Sequence, residues 1–256
     1  MTDTRHDEPL EALLRELARV QQHHAERASN PELASALLHL GRWQSLRLRN
    51  TYADLEQTPR YATAMKFFEE DLYGGADFAQ RDADLVKVVP AMKRLVPANV
   101  IDTVAVAVEL NALSQDLDRS VVDALGPRAQ TFSVADYCTA YRCAGGFEGR
   151  QRQIRLIGDV GVSLDRFVRK RVLRSALGLM RKPARLAGLA ALQDFLERGF
   201  ESFAQMHGAA EFLATIQSRE TVIHESIIAG SDAPFPDPLQ TVEGAAVVPV
   251  RPTPSL

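Results

Sequence analysis

Asp77, Arg81 and Asp82 are the residues of this chain whose types and spacing come nearest to a chemical device. On a helix, Asp77 and Arg81 meet at i, i+4, and Asp82 follows at the next position. Two carboxylates around one guanidinium can serve as acid, anchor and base. Just before them stand Phe67, Phe68, Glu69, Glu70, Asp71, Leu72 and Tyr73. This window mixes aromatic rings with unlike charges, where an ordinary surface helix carries one kind alone. Two readings follow. In the functional one, Phe67, Phe68 and Tyr73 wall an apolar pocket, with Glu70, Asp77, Arg81 and Asp82 as a polar site at its mouth. In the plain one, Tyr61, Met65, Phe68 and Leu72 are a core stripe at helical spacing, and Asp77 to Asp82 is a capped, salt-bridged helix start.

The second signal is charge. Residues 142–185 hold twelve Lys or Arg against three acids, a local balance of +9, and residues 51–125 hold seven against thirteen, a balance of −6. Either the two halves complement each other or the basic stretch is a patch for anions, with Arg150 and Arg155 placed to hold a head group. Only Phe147 and Phe167 interleave the basic residues, so no stacking platform for nucleic acid is evident. No nucleic-acid reader motif occurs either. Leu164, Phe167 and Val168 lie on one helical face, and Leu173, Ala176, Leu177 and Met180 on nearly the opposite one. The helix therefore breaks near Lys170 or is sandwiched between two neighbours. A face that is not continuous weakens peripheral contact with a membrane.

Other constellations are missing. None of the six histidines stands in a Glu-x-x-His pair or a zinc-protease motif, and there is no nucleophile elbow, P-loop or dinucleotide fingerprint. Glu220 and His224 form at most an isolated pair at i, i+4. Asp116 and Asp118 face different ways and read as solvent-facing. Cys138 and Cys143 are spaced poorly for a metal and read as reduced thiols. No metal, no cofactor and no catalytic residue is expected from these patterns.

These groups must be positioned by helices. The 256 residues are 46% hydrophobic and 25% charged, with a net charge of −3, ordinary values for a globular protein. Asn30-Pro31-Glu32 is a strong helix start, Thr58-Pro59 begins another helix, and Gly74-Gly75 ends it. Pro90 should kink a helix running from Asp77 to Leu95. A long helix over 98–125 stops at Gly126-Pro127, and Ser133 caps a shorter one. Breaks are expected near Gly158 to Gly161 and at Lys182-Pro183. Residues 189–206 read as a clean amphipathic helix with Leu192, Phe195, Leu196, Phe200 and Phe203 on one face. The expected fold is all-α, one bundle-like domain of about eight or nine helices over residues 1–229. Residues 230–256, rich in Pro, Ala and Val and without period, are expected to be a disordered tail. The polar N-terminus and the absence of an apolar run of about 18 residues predict a soluble, cytoplasmic protein.

Phe67-Phe68-Glu69-Glu70-Asp71-Leu72-Tyr73 resembles the signature of an uncharacterised bacterial family named for the motif Phe-Phe-Leu-Glu-Glu-Leu-Tyr. Phe67, Phe68, Glu70, Leu72 and Tyr73 match; Glu69 and Asp71 depart. Gly74, Asp77-Phe78, Arg81-Asp82 and the run at 192–200 resemble the same pattern, so the likeness spans roughly residues 8–228. It implies no activity, substrate or catalytic residue. Three functions are expected in order. The first is a non-enzymatic helical protein that binds a partner protein or itself through the Phe67–Tyr73 region or the helix at 189–206, with a dimer as its simplest form. The second is a helical binder of a lipid or anionic small molecule. The third is an enzyme using the Asp/Arg cluster.

Overall fold

The computed structural model describes residues 4–73 and 78–240. Among these the chain is helical throughout and has no strand. α1 (Thr4–Ser29) buries Leu13, Leu17 and Val20. α2 (Pro31–Thr51) starts as its sequence dictates: the Asn30 side chain accepts from the Leu33 N–H at 3.0 Å and Pro31 fills the first position. A single turn, α3 (Ala53–Glu56), leads to α4 (Ala62–Phe67), which widens into a π-helical segment at Phe68–Tyr73. Then come α5 (Ala79–Leu95) and α6 (Ala98–Leu125). α7 (Val134–Cys143) opens on a capping box between Ser133 and Asp136. α8 (Phe147–Val168), α9 (Arg171–Leu186), α10 (Ala190–Gln205) and α11 (Ala210–Ile228) complete the order.

The all-α class stands as expected, but the described residues hold eleven α-helices rather than eight or nine. Two of the expected breakers do not break. Gly158 and Gly161 lie inside α8, where it crosses α11. A Cβ on Gly158 would sit 2.0 Å from Gln217 Nε2, and one on Gly161 would sit 2.3 Å from Leu213 Cδ2. These glycines are the contact surface of a close crossing, not a turn. Pro183 likewise stays inside α9. The real break is the one allowed near Lys170, which is extended at φ −85° and ψ 103°.

Three clusters of buried side chains surround the middle of the molecule. Trp43 centres one with Phe132, Tyr137 and Phe235. Tyr52, Tyr61, Phe203 and Phe212 form the second. Leu13, Leu17, Val20 and Ile101 form the third, where α1 lies along α6. Phe235 corrects the expected tail. It is 7% exposed and meets Trp43 edge-on at 5.8 Å between ring centres. Arg142 ties down the same segment through the Ser231 carbonyl at 3.1 Å and Asp232 at 2.6 Å. Residues 230–240 therefore pack on the helices, because one aromatic anchor and one arginine suffice without any period. Residues 241–256 lie outside the described residues.

Candidate functional site

The middle of the molecule is hollow. α5, α6, α8 and α10 turn apolar side chains toward one another, and these walls enclose a cavity of about 1620 Å³, partly open to solvent. Native interiors are close-packed and their voids seldom exceed a water molecule. This partly open space is larger than the roughly 300–1,000 Å³ of a drug-sized pocket. The apolar face of α10 serves two ends: Phe203 is buried in the second cluster and Phe200 packs against it, while Leu192, Phe195 and Leu196 line the void.

α6 gives the cavity its direction. One helical stripe of α6 faces it, at Val100, Val104, Ala107, Asn111, Ser114 and Asp118. The first three are apolar and the last three polar, so the wall changes character along the helix axis. Two hydrogen-bonded groups stand around the polar half. In the first, the Asp82 carboxylate lies 3.0 Å from His24 Nε2, 2.9 Å from Arg81 Nε and 3.4 Å from Asn111 Nδ2. Arg27 lies 2.7 Å from His24 Nδ1 and can only donate, so the ring proton sits on Nε2 and points at Asp82. Burial pushes the Asp82 pKa up, but the His24 hydrogen bond and the Arg81 charge outweigh it and hold the carboxyl below its ordinary value.

In the second group, Arg150 is 7% exposed, donates to the Leu117 carbonyl at 3.3 Å and lies over the Tyr141 ring at 4.8 Å. Asp118 is 3.9 Å from Arg150 and accepts from Gln44 at 3.0 Å. Burial raises its pKa, and Arg150 only partly offsets this. Asp118 thus belongs to the cavity wall, which corrects its solvent-facing reading, whereas the Asp116 side chain stays 41% exposed and pairs with Arg19 and His23. Tyr141 Oη lies 2.8 Å from His224 Nδ1. Burial drives the Tyr141 pKa far up, so the phenol donates and Nδ1 accepts. The proton of the neutral His224 ring is then on Nε2, a buried atom with no partner among the described residues.

Burial, with the charge of Arg150, also lowers the His224 pKa. An unfolded histidine titrates near 6.5. Below that pH the unfolded chain takes up a proton that the folded ring refuses, so stability falls as the pH drops. In chemical unfolding at pH 7 and pH 5.5, His224→Gln is expected to lose less stability on acidification than the wild type. Equal losses would show that the ring titrates normally.

The cavity brings together five of the nine expected site residues. Phe67 is 6% exposed, tilts against Phe195 at 5.5 Å and meets the bare face of Gly199. Phe68 lies edge-on to Phe212 at 5.5 Å. Arg81 stacks over Phe78 at 4.3 Å and over Phe195 at 4.7 Å. Asp82 and Arg150 belong to the two polar groups. Glu70 is not in the wall; it faces outward beside Lys66 at 3.8 Å. Arg155 is exposed on α8. Asp77 and the side chain of Tyr73 lie outside what the structure describes. Asp71 is the buried acid of the 67–73 window, gripped by Arg198 with Nε 3.0 Å from Oδ2.

Sequence reasoning missed His24, Arg27, Arg47, Asn111 and Tyr141, and read Glu220 and His224 only as an isolated pair, whereas Glu220 meets Arg47 and His224 meets Tyr141. One signal was there to find: Asn111, Ser114 and Asp118 continue the stripe that Val100, Val104 and Ala107 begin. Among the described residues no helix is long and apolar enough to cross a membrane, and no three His, Cys, Asp or Glu side chains gather as a metal site. One family's sequence model, described as Domain of unknown function (DUF8198), matches residues 21–234. No curated protein matches the chain. No solved structure does either.

Proposed function

We propose, for a chain that belongs to this family of unknown function, that it binds one elongated amphiphile of lipid-like size inside its helical cavity. The observation that carries this reading is the α6 stripe, apolar at Val100 to Ala107 and polar at Asn111 to Asp118 along one wall of a void of about 1620 Å³. An acyl chain would lie along the apolar half. A small hydrogen-bonding or anionic end would meet the polar half of the wall, at Asn111, Ser114 and Arg150. This favours the second of the three expected functions. Association with a partner protein has no comparable support from a specific surface near Phe67–Tyr73, whose two phenylalanines point inward. The enzyme reading is disfavoured because Asp82 is engaged by His24, Arg81 and Asn111.

Titration of the purified chain with 11-(dansylamino)undecanoic acid should give saturable, blue-shifted emission at one probe per chain. Ala107→Trp combined with Ile154→Trp places two indoles in the void. This variant should keep its helical content and melting temperature while weakening the probe by about tenfold or more. Absence of saturable binding by the wild type, or binding untouched by the filled variant, would overturn the proposal.

A further inference from the structure

α9 is built unlike the other helices. Its inner side, with Leu173, Leu177 and Ala184, lines the cavity. Its outer side carries Val172, Leu179 and Leu186, which are 79%, 79% and 90% exposed. They recur every seven residues and so form one stripe. The helix holds five cationic residues and no acid. Arg181 and Arg185 reach back to Glu197 and Asp194 of α10, and Arg174 to the Val168 carbonyl. Arg171 and Lys182 run along one edge of the apolar stripe and have no acidic partner among the described residues. The break at Lys170 sets α9 at an angle of its own, so the discontinuity seen between 164 and 181 belongs to two helices and does not interrupt this face.

We infer that the outer face of α9 docks on an anionic lipid surface and places the cavity wall against it. The inference rests on the cavity reading, because it gives a lipid-like ligand its source. Charge selects the occupant. An apolar stripe bordered by unpaired cations matches acyl chains beneath anionic head groups. A second copy of the same face would set cation against cation. Nucleic acid would leave the apolar stripe without a use, and no aromatic ring stands on α9 to stack a base.

The full-length protein should sediment with phosphatidylcholine vesicles containing about one third phosphatidylglycerol, and several-fold less with pure phosphatidylcholine or at raised salt. Arg171→Gln and Lys182→Gln should each lower binding by roughly fivefold, about the worth of one surface cation. Leu179→Ser with Leu186→Ser, both exposed, should abolish it without changing the melting temperature. All these variants should bind the dansyl probe in solution like the wild type, whereas the Trp-filled variant should lose the probe and keep the vesicles. A folded, probe-binding protein that ignores both vesicle types overturns the docking inference and leaves the cavity reading intact. Vesicle binding unmoved by the α9 variants overturns it too, as does a dimer that the Leu179→Ser, Leu186→Ser variant dissolves.

Discussion

Trp43→Ala is expected to cost about 3–5 kcal/mol of stability in urea unfolding. The indole is 2% exposed and joins parts of the chain that are far apart in sequence. Its ring lies 4.7 Å from Tyr137 of α7, 5.1 Å from Phe132 before α7 and 5.8 Å from Phe235 after α11. Removing it opens a hole that four separate segments would have to close together, and rigid helices close such holes poorly. Trp43→Phe keeps most of the buried area and should lose clearly less. A loss under about 1 kcal/mol for the alanine variant would show that the segment carrying Phe235 does not hold this cluster together.

Glu220→Ala is the second large effect, again about 3–5 kcal/mol, and for a different reason. Arg47 and Glu220 side chains are 11% and 16% exposed, with a 3.1 Å contact from Arg47 Nη2 to Glu220 Oε2 and the Tyr52 hydroxyl donating to Glu220 at 2.8 Å. Burial works against the Arg47 cation, yet the Glu220 carboxylate more than reverses this and raises its pKa. A guanidinium has no neutral form to retreat to. Deleting the acid therefore strands a charge in the interior. The paired variant Arg47→Met, Glu220→Leu removes both charges and should recover most of the loss, since two buried ions are often replaceable by apolar groups. If the paired variant is as unstable as Glu220→Ala, packing rather than charge is what Glu220 supplies there.

Local rules carried far into this chain. Asn30 and Ser133 cap helices because side-chain oxygens at those positions meet orphan N–H groups, a matter decided within four residues. The reading failed where the deciding contact lay far away. Gly158 and Gly161 looked like a turn because nothing nearby announces Gln217 or Leu213. Phe235 stands in a Pro-rich stretch with no period, and only Trp43 makes it a core residue. Among the described residues, the charge imbalance between 51–125 and 142–185 is answered across the fold by few pairs, Arg150 with Asp118 and Arg152 with Glu109. The other ion pairs of the basic stretch lie elsewhere, as with Arg181 and Glu197 of α10.

The candidate site was legible in part for the same reason. Phe67, Phe68, Arg81 and Asp82 sit close in sequence and meet in the wall. Arg150, Tyr141 and His224 come together only through tertiary packing. Period reveals which faces turn inward but not whether those faces touch. The void was therefore outside the reach of the sequence, although the polar continuation of the α6 stripe was not.

Three separate cores around one void make the folded state and its occupancy a single thermodynamic question. A molecule that enters only the folded form adds to stability in proportion to the logarithm of its concentration above Kd. Empty, the chain is left with apolar walls that face no partner and gain no dispersion energy. On the proposed function, the lifetime of this protein becomes a gauge of its surroundings, long where amphiphile is plentiful and short where it is scarce.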